Sequence, residues 1–288
     1  MSNLRSIKSR LRSIRKNQQI LRAMKMVSAV KLRRVQTVLS AGRPYAQWLE
    51  TAVHDFLAQV AEHEPPHPLL ARRPARRVLW IVLSSDRGLC GGLNTSLFRY
   101  VQQALAHPRL PTEPALLLVG RKALDFFKRP QKIAHNFRIE QAYPLAEAEA
   151  NILGAQLCDQ YRRGLIDTVD VFYVRCPSTL RQVPELAALL PVVAPPAPDR
   201  PQQQVRLLEP SAESIADDLL PRYVISRLRQ ALLEQQLAEH SARMIMMDQA
   251  SKKAADMIDQ IQLDYNKLRQ SMITRELADI TTGVEAMA

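Results

Sequence analysis

The chain has 288 residues, of which 47% are hydrophobic, 24% charged and 5% aromatic, and its formal net charge is +12. This length and apolar content suit long helices plus one sizeable core, and they exclude a disordered chain. The longest unbroken apolar run, Val78 to Leu83, is far too short to cross a bilayer, and the charged start lacks the apolar stretch of a signal peptide; Cys90, Cys158 and Cys176 are odd in number and widely spaced, which reads as reduced thiols in a cytoplasmic protein.

The chain opens on a helical pattern. Leu4, Ile7, Leu11, Ile14, Gln18 and Leu21 step by three and four, and after a small slip Leu39, Gly42, Ala46, Leu49, Val53, Phe56 and Val60 do so again. Pro44 lies inside this pattern, and a kink is its expected cost. Twelve basic residues precede the first acidic one, Glu50: Arg5, Lys8, Arg10, Arg12, Arg15, Lys16, Arg22, Lys25, Lys31, Arg33, Arg34 and Arg43. The remaining basic residues balance the 28 acidic ones, so the whole excess sits on one helix. A helix so charged, with no acid of its own to pair with, faces nucleic acid, an anionic membrane or an acidic protein surface. Met1 to Arg43 contains no Phe, Tyr or Trp, which argues against a nucleic-acid arm built on stacking.

The cluster Glu64-Pro65-Pro66-His67-Pro68 ends the first helix and opens a middle domain. From Arg76 the period changes. Val78 to Leu83 is a short apolar strand, followed by a glycine turn and a helix from about Thr95 to Ala106. Ala115 to Val119 repeats the theme and leads into Arg121 to Phe127. A helix from about Leu145 to Arg163 precedes a third strand, Val169 to Val174, and Val205 to Leu208 is a weaker fourth candidate after an exposed loop from Pro191 to Gln204. Such alternation predicts a mostly parallel sheet with helices on its faces, a Rossmann-like α/β domain.

The stretch Ser84-Ser85-Asp86-Arg87-Gly88-Leu89-Cys90-Gly91-Gly92-Leu93-Asn94 sits between a buried strand and a helix, where phosphate loops are found. Its spacing matches neither G-x-G-x-x-G nor G-x-x-x-x-G-K-[ST], so its glycines read first as a tight turn with close helix-strand packing. A nucleotide-binding enzyme using Gly88 to Gly92 stays open as an alternative, as does a basic coiled-coil adaptor for nucleic acid. No catalytic constellation, cofactor motif or metal-ligand set is evident elsewhere: His63 and His67 have helical spacing, but Pro65 and Pro66 break the helix that would align them.

The last third returns to helical spacing. Leu237, His240, Met244, Met247, Ser251, Ala254, Ile258, Ile261, Tyr265, Leu268 and Met272 form a sustained heptad seam without Pro or Gly, which argues for a coiled coil. Two long helices therefore bracket the middle domain, and their pairing is antiparallel. At about 1.5 Å per residue, Asn3 to Ala61 spans about 90 Å and Ser211 to Ala286 about 110 Å. After Met272 the apolar register slips by one residue, to Ile273, Leu277, Ile280, Val284 and Met287, turning the stripe off the line that faces the first helix. The expected fold is mixed α+β and α/β: a discontinuous antiparallel coiled coil of residues 1–62 and 211–288, with a central α/β domain of residues 63–210.

These residues together resemble the gamma subunit of F-type ATP synthase, nearly end to end. Arg22-Ala23-Met24-Lys25-Met26-Val27-Ser28-Ala29 with Lys31 and Arg33 is similar to the family's first-helix signature, and Arg43-Pro44-Tyr45 to its helix proline. Asp86-Arg87-Gly88-Leu89-Cys90-Gly91-Gly92 and Asn94 resemble its most recognisable loop, Gln182-Val183-Pro184 and Glu209-Pro210 shorter ones. Ala242-Arg243-Met244, Met247, Tyr265-Asn266-Lys267, Arg269-Gln270, Ile273-Thr274, Glu276 and Ile280 fall in the family's order and spacing. Met246 and Ser271 stand where the family usually has alanine, Lys253 where it has asparagine, and Leu208 where a tyrosine is expected beside the membrane ring. The inserted cysteine pair of the redox-regulated photosynthetic branch is missing.

The resemblance implies a non-catalytic central-stalk rotor with no cofactor, present in one copy per complex, peripheral to the cytoplasmic face of a bacterial plasma membrane and not inserted into it. In this family the coiled coil threads a hexamer of alternating alpha and beta subunits, and the α/β domain forms a foot with the epsilon subunit and the c-ring. Ring rotation turns the shaft, whose asymmetric surface drives each beta subunit in turn through open, loose and tight states. Such coupling requires different contacts to three otherwise identical sites. The implied partner-binding residues are Met24, Arg33, Arg34 and Arg243 on the shaft, Asp86, Arg87 and Glu209 at the foot, and Arg269, Gln270 and Thr274 where the shaft meets beta-subunit loops.

Overall fold

In chain order the elements are helix α1 (Ser2–Val60), strand β1 (Val78–Leu83), helix α2 (Leu93–Leu105), strand β2 (Ala115–Val119), helices α3 (Arg121–Phe127) and α4 (Ala146–Arg162), strands β3 (Thr168–Ser178) and β4 (Arg181–Leu190), and helix α5 (Ala212–Glu285). The computed structural model describes residues 2–60, 67–106, 114–127, 146–193, 209 and 211–285. Two compact units divide the chain: residues 1–29 with 243–288, and residues 30–242.

The first unit is purely helical. Three contacts between α1 and α5 fix their direction: Arg15 Nη2 donates to Gln262 Oε1 (3.3 Å), Gln18 Nε2 to the Ser251 carbonyl (3.4 Å), and Lys25 Nζ to Asp248 Oδ1 (2.6 Å). One number rises as the other falls, so the pairing is antiparallel, as the heptads predict. On α5 the buried and half-buried positions from Met244 to Met272 include every member of the predicted seam, while most residues between them are exposed.

The expected slip in α1 does not occur. Lys25, Ser28, Leu32 and Val35 fill the gap between Leu21 and Leu39 at unbroken steps of three and four, and all four are buried or half-buried. The slip was an artefact of reading only apolar residues: Lys25 holds a seam position because Asp248 takes its charge, and Ser28 holds one because it is small enough to bury, at 3% exposure. A polar residue at one seam position fixes register at some cost in stability. The helix also runs through Pro44 without interruption.

The second unit holds the sheet, in strand order β2-β1-β3-β4. β1 is parallel to both β2 and β3, and β4 is antiparallel to β3. Alternation along the strands sends side chains to two cores. On one face Ile81, Leu83, Leu117, Val119, Val171 and Tyr173 meet Leu153, Leu157 and Tyr161 of α4, Leu49, Val53 and Phe56 of α1, and Leu220, Val224 and Leu228 of α5. On the other, Trp80, Val82, Leu118 and Phe172 meet Leu97, Phe98 and Val101 of α2, Phe127 of α3, and Ala238 and Ala242 of α5. The late turns of α1 and the early turns of α5 are thus core elements of the α/β unit.

Three strands lie where the sequence predicts them, with β3 extended to Ser178. β4 is the one the pattern hid. Gln182-Val183-Pro184, read as a loop match, lies within it, and Pro184 is opposite Val174. β4 is the sheet's edge, where a residue without an N–H is tolerated and most side chains are only partly buried, so neither period-2 apolar alternation nor freedom from proline marked it. The candidate strand Val205 to Leu208 and most of the Pro191 to Gln204 loop lie outside the described residues.

Candidate functional site

Two places concentrate the residues singled out by sequence: the glycine turn after β1 and the outer faces of the two long helices. At the end of β1, the Ser84 hydroxyl donates to the Val119 carbonyl (2.9 Å) and accepts from the Ala123 N–H (2.9 Å), which ties the β1 and β2 ends to α3. Gly120 makes this possible: its φ is +92°, and a Cβ there would lie 2.3 Å from the Ser84 carbonyl oxygen. Within the turn, Asn94 Oδ1 accepts from the Ser85 N–H (3.2 Å), and Asn94 Nδ2 donates to Ser85 Oγ (2.7 Å) and Cys90 Sγ (3.3 Å). Ser85 Oγ donates to the Arg87 carbonyl (2.9 Å).

The turn is therefore built from within, its polar side chains bonded to one another, and Leu89 is held in it at φ +65°. Asp86 has a structural task too: its Oδ1 accepts from the Arg121 N–H (2.9 Å) at the start of α3. Arg87 is exposed beside it. The structure brings these two together on one turn; Glu209 is exposed at a separate bend.

On α1 the predicted basic surface is solvent-facing. Arg5, Lys8, Arg10, Arg12, Arg15, Lys16 and Arg22 are exposed in the helical unit, and Arg33, Arg34 and Arg43 in the α/β unit. Met24 is half-buried, one residue before the seam position held by Lys25. Arg243 differs from the other cations, being only 8% exposed. Near the end of α5, Arg269, Gln270 and Thr274 are exposed, and the Thr274 hydroxyl donates to the Gln270 carbonyl (3.0 Å) one turn back. Beyond Met272 the apolar stripe is bare: Ile273, Leu277 and Ile280 are 46%, 59% and 62% exposed. Ile273 sits one residue off the seam, and at the register set by Arg15–Gln262 and Lys25–Asp248 the side chains of Leu277 and Ile280 lie past the start of α1.

Sequence reasoning missed the ion pairs that hold these surfaces. Asp248 lies between Lys25 (2.6 Å) and Lys252 (3.0 Å), and the Lys25 hydrogen bond, with that of Lys252 second, holds its carboxyl below the usual carboxylate range. In the α/β unit Arg227 Nη1 meets Glu50 Oε1 at 3.3 Å, joining α5 to α1. The seam spacing put Lys25 at a core position; counting polar residues as possible seam members would have found it. Among the described residues no group of three or more His, Cys, Asp and Glu is placed to hold a metal ion, and no helix is long and apolar enough to cross a membrane.

A family model described as ATP synthase matches residues 3–287. The ATP synthase gamma chain of Moorella thermoacetica is 40% identical over 288 residues, covering all of both chains. Among solved structures, the Tetrahymena thermophila mitochondrial ATP synthase central stalk and c-ring has a chain that superposes with a TM-score of 0.61 at 24% identity, covering 81% of this chain and 99% of that one. A chain of the Euglena gracilis mitochondrial ATP synthase rotor gives 0.65 at 19% identity, covering 94% and 99%. At these identities the structures establish a shared fold.

Proposed function

This chain belongs to the ATP synthase gamma chain family, and we propose that as the rotor subunit of that complex it transmits torque without contributing any catalytic group. The functional division is a shaft of residues 1–62 and 211–288 and a foot of residues 63–210. One copy serves each complex, at the cytoplasmic face of a bacterial plasma membrane. The shaft works against the hexamer of alpha and beta subunits, and the foot against the epsilon subunit and the c-ring.

The observation that carries this reading is the arrangement of surface on α1 and α5. An antiparallel pair with a fixed register leaves exposed cations on one helix, on either side of exposed Met26, Val27 and Val30, and a bare apolar stripe, Ile273, Leu277 and Ile280, near the end of the other. Exposed cations on a helix that carries no acidic residue before Glu50 suit acidic lever segments, with Arg33, Arg34 and Met24 among the contacts. An apolar end suits a collar that holds it by fit, while Arg269, Gln270 and Thr274 supply hydrogen bonds below it. Asp86, Arg87 and Glu209 belong to the foot's contacts. Arg243, being buried, supports the shaft from inside.

The non-catalytic reading is supported by the glycine turn, where the Ser85 and Asn94 side chains bond to each other and to the turn's own backbone. Isothermal calorimetry of the isolated chain tests that part: it should show no ATP binding at micromolar concentration, and binding there would revive the nucleotide-enzyme reading. Single-molecule rotation tests the shaft. Deleting Thr282 to Ala288 should leave rotation largely intact, whereas deleting from Arg269 onward should impair torque or assembly. If the short deletion stops the motor as completely as the long one, the bearing idea is wrong.

A further inference from the structure

Directly before β1 the chain carries Arg72, Arg73, Arg76 and Arg77 within six residues. The turn between α4 and β3 lies against this run, since the Asp167 and Thr168 N–H groups donate to the Arg77 carbonyl (2.8 and 3.4 Å). The acidic groups nearby are already taken. Asp167 accepts from Arg77 Nη2 (2.9 Å) and Nε (3.3 Å), Asp159 meets Arg163 (3.0 Å), and Asp217 lies between Arg162 (2.9 Å) and His67 (3.1 Å). Exposed Arg72 and half-buried Arg73 have no acidic partner among the described residues.

Neutral groups pin Arg73 in place. Its Nη1 donates to the Tyr161 carbonyl (3.0 Å), its guanidinium carbon lies 5.2 Å from the centre of the Tyr161 ring, and the Tyr161 hydroxyl donates to the Ala71 carbonyl (2.8 Å). These contacts fix the cation without neutralising it. Gly164 follows at φ +67°, and a Cβ there would lie 3.3 Å from Arg73 Nη1 and 3.9 Å from Arg77 Nη2. Two guanidinium groups thus converge over a residue with no side chain, those nitrogens at most about 7 Å apart. Neither group is used up: of five N–H donors each, Arg73 gives one to the Tyr161 carbonyl and Arg77 two to Asp167. The Arg77 side chain is also 54% exposed, so the pair is within reach of solvent.

We propose that Arg73 and Arg77 form a site for a phosphate group over Gly164. The surplus charge of Arg72 and Arg73 favours an anion, and guanidinium forks suit phosphate geometry. Two oxygens of one phosphate, each accepting over about 2.8 Å, reach across the gap between the two nitrogens. A phosphate's oxygens lie farther apart than a carboxylate's and are not confined to one plane, so they meet forks from two different residues more fully. Soluble phosphates and lipid headgroups share this chemistry. The site is independent of the rotor reading: it lies at the N-terminal ends of β1 and β3, the opposite end of these parallel strands from the glycine turn.

The experiment follows the Gly164 amide by NMR in the full chain labelled with ¹⁵N-glycine, at fixed ionic strength. The probes are pyrophosphate, monomeric dihexanoyl phosphatidylglycerol and, as the carboxylate control, succinate. Gly164 should shift with at least one phosphate probe and less with succinate; the probe that binds more tightly identifies the source as soluble phosphate or headgroup. Arg73→Gln should weaken that binding roughly tenfold, whereas Arg10→Gln, the same charge loss on exposed α1, should leave it within about twofold. If Gly164 moves with neither phosphate probe in the unsubstituted chain, the proposal is wrong whatever the variants do. Equal weakening by the two substitutions, or a succinate response as large as the phosphate one, would overturn it too.

Discussion

Phe56→Ala offers a measure of how firmly α1 is held in the α/β unit. Phe56 is 4% exposed, its neighbours one turn and two turns back, Val53 and Leu49, are 0% and 1% exposed, and all three join the core beneath the sheet. Truncating a buried Phe to Ala costs about 3–5 kcal/mol, the transfer term plus the cavity that packed surroundings cannot close. Since domains are stable by only about 5–15 kcal/mol, this single change should consume a large share of the unit's stability. Trp80, 3% exposed in the second core, reports the transition by fluorescence, and Trp48, 64% exposed on α1, is removed as Trp48→Phe to leave one probe. With a urea m-value of about 2 kcal/mol/M, the midpoint should fall by roughly 1.5–2.5 M. Ile14→Ala, at a half-buried seam position of the helical unit, should cost clearly less. A loss below about 1 kcal/mol for Phe56→Ala would mean that the end of α1 is not anchored by this core, because only a site free to collapse escapes the cavity cost.

Reversing Arg33 and Arg34 together to Glu should weaken assembly or coupled ATP hydrolysis in the complex, while reversing Arg162 and Arg163 should not; equal tolerance of both would count against a basic bearing surface. Lys25→Asp and Asp248→Lys should each lower the melting temperature, and the double swap should recover part of the loss, as a register-setting pair requires; equal loss in all three would show that the pair does not set register. Asp167 is held below the ordinary carboxylate range by its hydrogen bonds to Arg77, at 2.9 Å from Nη2, so its contribution to stability is present above pH ~4 and is lost as pH falls through the lowered folded-state value. Asp167→Asn should therefore flatten the acid limb of a melting-temperature profile and leave its alkaline limb unchanged, and an unaltered acid limb would refute the assignment.

Some of this architecture was legible because one physical signal dominated locally. β1 and β2 are buried on both faces, so they read as unbroken apolar runs, the first bounded by Arg77 and Ser84 and the second by Pro114 and Gly120. The α5 seam read cleanly because its few polar members, His240 and Ser251, keep the spacing. Where two signals competed, the reading failed. The α1 seam looked broken at Lys25 and Ser28 because hydrophobicity and burial part company there: one residue is buried by being small, the other is placed by an ion pair 223 residues away in sequence. β4 was lost because an edge strand needs no alternation and tolerates Pro184. The functional residues showed the same division. The exposed cations of α1 were visible as a charge asymmetry, but the Glu50–Arg227 pair could not be found by any spacing, since it depends on which charges meet in three dimensions.

The two units differ in what holds them, and that difference bears on function. In the helical unit the fully buried apolar side chains among the described residues are Leu11, Met247 and Ala254, alongside buried Ser28, Arg243 and Ser251. The other described seam members are half-buried, so each contributes less than the roughly 1.5–3 kcal/mol of a fully buried Leu, Ile or Met. The α/β unit instead buries whole side chains in two cores. Local stability follows buried apolar contact, so the helical unit sits at the low end of the chain's stability range. The exposed cations of α1 add self-repulsion, which an acidic partner surface relieves and free solution does not. On the rotor reading proposed above, such a shaft is ordered chiefly by what surrounds it: an internal seam strong enough to stand alone would need apolar residues where Lys25, Ser28 and Ser251 now stand, and a neutral outer face would lack the charge proposed to meet the hexamer.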